Sequence, residues 1–230
     1  MKQEILDRIK ELGGNIDRVK GYSLQDDLLS ISFDANLSES RKYDESDIWE
    51  LVFVWNIDSF IKLDYRDETE FVIIAERFKP YYDGIIRRIE DSRDTISWAA
   101  KLFTPYEEGS EDFKDWNTYF TDDEKLKAIR EIIDDPQPAF IHLFYDRSCN
   151  NYYLICLSDP NPENPTVFKF PLDFCNEVVN EGNLEDFLCR WISNNDIVEL
   201  VKEALVKFFS MLDRDEVLRH CQSPAHRGIW

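Results

Sequence analysis

The sequence contains no long apolar run, which excludes one broad class of protein. No 18 consecutive residues are apolar enough to cross a bilayer, and residues 1–5 lack the apolar region of a secretory signal. We therefore expect a cytoplasmic protein that makes no use of a membrane.

Basic residues are also in short supply. The chain has 27 Lys and Arg against 47 Asp and Glu, which gives a formal net charge of -20. Such a charge repels phosphate backbones and anionic lipid surfaces. Direct nucleic-acid binding is therefore not expected, and a basic protein is the partner that the charge favours.

Residue types that commonly carry chemistry are few. The seven glycines form neither a G-x-G-x-x-G nor a G-x-x-x-x-G-K phosphate loop, and the five cysteines include no C-x-x-C pair. His142 lies within an apolar run, while His220, Cys221 and His226 lie near the C-terminus, where their role stays open. We predict no catalytic residue, no metal site and no cofactor.

Hydrophobic residues make up 43% of the 230, enough for a sizeable core, and their spacing indicates both helices and strands. In the N-terminal part the patterns predict a helix over 2–12 and strands over 28–33, 48–57 and 71–75. Apolar residues at helical spacing then predict a long helix from Pro80 to just before Pro105, including Ile96, Ala100 and Phe103, and a shorter one over 122–133. The C-terminal third predicts strands over 139–145, 152–157 and 166–170, followed by helices that start near Leu184 and Ile197.

These elements predict an α+β fold. We expect a mostly antiparallel sheet of five to six strands, with helices packed on one face and a helical insertion at about 79–135. The expected domain organisation is a single domain over 1–213 and a C-terminal tail over 214–230.

One segment is both acidic and aromatic. Between residues 104 and 124, eight acids face one base, Lys114, and aromatic side chains are interleaved with them. Complementary charge accelerates encounter with a basic partner, and Tyr and Trp provide contact area. We predict a partner-binding site formed by Glu107, Glu108, Glu111, Asp112, Asp115, Trp116 and Tyr119. The alternative is an acidic face that only maintains solubility, with Trp116 and Phe120 packed inward.

Three segments of the C-terminal third are NYYLICLSD at 151–159, PTVFKF at 165–170 and NLEDFL at 183–188. They resemble the closing portion of the SUKH superfamily, which includes fungal cell-wall synthesis regulators and many bacterial toxin-immunity proteins. The resemblance implies a strand that ends in an Asp, a following strand, and a helix that packs on the sheet.

Two classes of function compete. The first is a non-enzymatic binding protein: an immunity-type protein that neutralises a basic toxin such as a nuclease, or alternatively an intracellular regulatory or scaffold protein. The second, with less support, is a metal-dependent hydrolase that uses carboxylate pairs such as Asp122–Asp123 or Asp134–Asp135. Neighbouring carboxylates are common in a chain with 47 acids, so we favour the binding protein.

Overall fold

The computed structural model describes residues 1–40, 87, 95–120, 123–146, 149–171 and 177–211. The contacts divide the chain into two compact units, one formed by Met1–Ser40 and Ile89–Asn194, the other by Arg41–Arg88 and Asn195–Trp230. The predicted boundary between a domain and a tail at residue 213 lies outside the described residues and stays a prediction.

The first unit begins with α1 (Gln3–Glu11), β1 (Gly14–Asn15), α2 (Leu24–Ser30), β2 (Ser32–Phe33) and β3 (Leu37–Glu39). It continues with β4 (Thr95–Phe103), α3 (Glu111–Tyr119), a 3-10 helix (Asp123–Leu126), α4 (Lys127–Arg130), β5 (Phe140–Asp146) and β6 (Asn151–Cys156). The last elements are β7 (Thr166–Pro171), β8 (Val179–Asn183), α5 (Leu184–Cys189) and β9 (Trp191–Ser193).

Of the second unit, the described part is Arg87 and the long helix α6 (Asn194–Met211) after its first residue. Ile197, Val198 and Val201 are buried, while Leu200 is exposed. This helix confirms the prediction from the spacing of apolar residues after Ile197.

Within the described residues, seven strands form one antiparallel sheet in the order β8-β7-β6-β5-β4-β3-β9, and β1 and β2 form a separate pair. The α+β class and the antiparallel sheet are confirmed. The predicted count of five to six strands is wrong, because the short strands β3, β8 and β9 carry little periodic signal.

Both faces of the sheet are covered, so the prediction of helices on one face is also wrong. In β6, Tyr153 and Ile155 join the core beneath α1, α2 and α5, whereas Leu154 and Cys156 join a second core beneath α3 and α4. Burial on both faces explains why residues 152–157 form a continuous apolar run instead of an alternating one.

Residues 95–103 form a strand where a helix was predicted. Ile96 and Phe103 fall at helical spacing, but β4 pairs along its length with β5, and a register shift between Trp98 and Lys101 interrupts the alternation of its side chains. The helical insertion predicted over 79–135 is therefore wrong for 95–103. The remainder of that long helix before residue 95 lies outside the described residues, except for Arg87, which is helical.

Residues 24–30 form α2, which overlaps the strand predicted over 28–33. Ser23 caps the helix by accepting a hydrogen bond from the backbone N–H of Asp26, and Leu28 is fully buried. Only Ser32–Phe33 is extended. The strands predicted over 48–57 and 71–75 lie outside the described residues, whereas those predicted over 139–145, 152–157 and 166–170 are confirmed as β5, β6 and β7.

Candidate functional site

The acidic and aromatic segment folds as a turn followed by α3. The Ser110 hydroxyl accepts from the backbone N–H of Phe113 at 2.9 Å and caps the helix. The Asp112 carboxylate accepts from the backbone N–H of Thr104 at 2.9 Å and lies 3.8 Å from the Lys101 ammonium. Asp112 therefore stabilises the turn that connects β4 to α3.

Trp116, predicted to contact a partner, lies in the second core and is only 5% exposed. Its ring packs among five aromatic rings with centroids 5.2–6.1 Å away, namely Phe103, Tyr106, Phe120, Phe140 and Phe170. Trp116 and Phe120 thus pack inward, as the alternative interpretation of this segment expected. The indole is a core residue and offers no contact surface.

Most carboxylates of this segment are exposed to solvent, in contrast to the buried Trp116. Glu107, Glu108, Glu111 and Asp115 are exposed, while Asp112 is half-buried. We call these four exposed carboxylates the acidic face. The side chain of Tyr119, the remaining predicted site residue, lies outside the described residues. Four of the seven predicted residues are thus exposed on α3 and the turn before it, and their partner-binding role stays a prediction.

A strip of half-buried rings lies beside α3 on the same side of the sheet. His142 packs edge-on against Phe103 and Tyr152, at 4.7 Å in each case, and Tyr152 stacks on Tyr145 at 4.8 Å. We call His142, Tyr152 and Tyr145 the aromatic strip. None of the three was predicted as a site residue. Tyr145 and Tyr152 are partners in the register of β5 and β6, across the turn of the predicted hairpin.

Burial, and to a smaller extent the nearby Lys101 ammonium, lower the pKa of His142 from 6.5 to about 4, while the Asp112 carboxylate opposes both effects. His142 is therefore a neutral ring near pH 7. Its placement in strand β5 confirms the prediction that it belongs to a strand.

This pKa predicts a loss of stability in acid. Between pH 6.5 and about 4 the unfolded chain binds a proton at His142 and the folded chain does not, so the free energy of unfolding falls as the pH is lowered through this window. Urea unfolding at several pH values checks this by comparing the wild type with His142→Phe. Carboxylates titrate in both proteins, so the difference reports His142. Equal pH dependence in the two would show that the ring is not desolvated.

The carboxylate pairs considered for a hydrolase show no convergent arrangement in the described part of the chain. Asp135 accepts from the Ser158 hydroxyl at 2.5 Å and from the backbone N–H of Gln137 at 2.9 Å, and these hydrogen bonds lower its pKa. The adjacent Asp134 is exposed. Among described residues, no group of three or more His, Cys, Asp or Glu side chains is placed to hold a metal ion. Asp122 and the side chain of Asp123 lie outside the described part of the chain.

The C-terminal histidines and Cys221 also lie outside the described residues, so the role of His220, Cys221 and His226 stays open. Of the described cysteines, Cys149 and Cys189 are exposed and Cys156 is buried. Burial raises the pKa of Cys156 to about 11, so its thiol stays protonated near pH 7.

The three segments that resemble the SUKH superfamily lie together. They contain β6 with the following turn, β7, and the Asn183 cap with α5. The Asp159 carboxylate, 6% exposed, accepts from the backbone N–H groups of Asn161 and Thr166 at 2.7 and 2.9 Å. Asn164 connects the same turn to Glu185 at the start of α5. Asp159 therefore holds the β6–β7 turn closed.

A scan against protein-family models, a search of curated proteins and a search of solved structures each returned no significant match. The resemblance to the SUKH superfamily therefore stays a prediction. No helix in the described part of the chain combines the length and apolar character needed to span a membrane.

Proposed function

We propose that this chain is a non-enzymatic binding protein whose acidic face docks on a basic partner protein. The observation that carries the proposal is the exposure of Glu107, Glu108, Glu111 and Asp115 along one helix and the turn before it. Lys114 is the one base in sequence between residues 104 and 119. Carboxylates grouped in this way create a local negative potential that adds to the net charge of -20.

Because Trp116 is buried, the proposed contact surface on α3 consists of carboxylates and does not include the indole. A partner meets carboxylates on the outer side of α3, while the aromatic side chains beneath them hold the helix on the sheet. Salt screens charges at a solvent-exposed surface, so an affinity that comes mainly from such charges falls as the salt concentration rises.

The test uses an oligo-lysine peptide as a basic probe and isothermal calorimetry at low and at physiological salt. Changing Glu107, Glu108 and Glu111 to Gln and Asp115 to Asn should weaken binding by about tenfold at low salt, since each exposed charge contributes about 0.2–1 kcal/mol. The expected loss shrinks as salt rises.

A charge-matched control separates a site from a general effect of net charge. Glu4, Asp17, Asp134 and Glu163 are exposed acids outside α3 and its preceding turn. Neutralising these four removes the same charge and should cost no more than about twofold, because dispersed charges interact weakly at a distance. Equal losses in the two variants would show that the acidic face is not the site.

Within this function we propose an immunity-type protein that neutralises a basic toxin, such as a nuclease, in the cytoplasm. The support is the acidic face together with the resemblance to the SUKH superfamily. A regulatory or scaffold protein would use the same surface and differ only in its partner. A toxin gene directly upstream of this gene would favour immunity, whereas a different neighbour would favour regulation.

A further inference from the structure

We draw no further inference here: the strongest candidate, the pair of buried N–H donors that Arg8 Nε on α1 and Trp191 Nε1 on β9 leave without a hydrogen-bond partner in the described part of the chain, carries nothing because the structure shows neither that the two donors face one point nor which acceptor would reach them.

Discussion

Replacing Trp116 with alanine should lower the free energy of unfolding by about 3–5 kcal/mol, the usual cost of removing a fully packed Trp. The ring, which belongs to α3, is 5% exposed and contacts aromatic side chains from β4, β5 and β7. Its removal opens a cavity that rings held by three strands cannot easily fill. Urea unfolding followed by circular dichroism measures the change.

Tyr22→Ala is the control for this experiment, because the Tyr22 side chain is 78% exposed. Its effect on the free energy of unfolding should stay within about 0.5 kcal/mol. A loss below about 1 kcal/mol for Trp116→Ala would contradict the packing of α3 on the sheet. Such a result would also restore Trp116 as a candidate for contact with a partner.

Asp159→Ala should be the other strongly destabilising change, by about 2–4 kcal/mol, because it removes two hydrogen bonds to a buried carboxylate. Asn161 and Thr166 each donate a backbone N–H to this side chain, one to each oxygen. Without the carboxylate these donors lose their partner inside the β6–β7 turn. Chemical denaturation of the purified variant measures the loss.

Two further variants define the role of Asp159. Asp159→Asn keeps one acceptor oxygen and should cost less than the alanine variant, while Glu163→Ala, an exposed change in the same turn, should be nearly neutral. If Asp159→Ala were as stable as the wild type but weaker in partner binding, the residue would belong to a binding surface instead of the turn.

Local patterns predicted those elements whose signals are local. The helix near the N-terminus follows from the stripe that includes Ile5 and Ile9, both buried in α1. The strands β5 and β6 follow from uninterrupted apolar runs. In contrast, β4 contains Ile96 and Phe103 at helical spacing, and its pairing with β3 and β5 determines its conformation. Such pairing depends on residues far away in sequence, so the local sequence pattern of β4 does not predict it.

The same distinction applies to the candidate site. The acidic character of α3 could be predicted because exposed carboxylates dominate the composition of that segment. The direction of Trp116 could not, since α3 buries whichever face meets Phe140 and Phe170, which lie on β5 and β7. The aromatic strip also depends on strand register, which places Tyr145 opposite Tyr152.

Strand β3 gains its second neighbour only after the ribosome has added residues 191–193, because β9 covers its outer edge. Helix α1 also depends on residues that are synthesised late. It packs against α5, and its Arg8 guanidinium donates to the backbone oxygen of Trp191 at 2.7 Å. Until then the growing chain lacks part of the core that buries Ile5 and Ile9 in the completed fold. Apolar surface that is left open until late in synthesis makes an incomplete chain prone to aggregation.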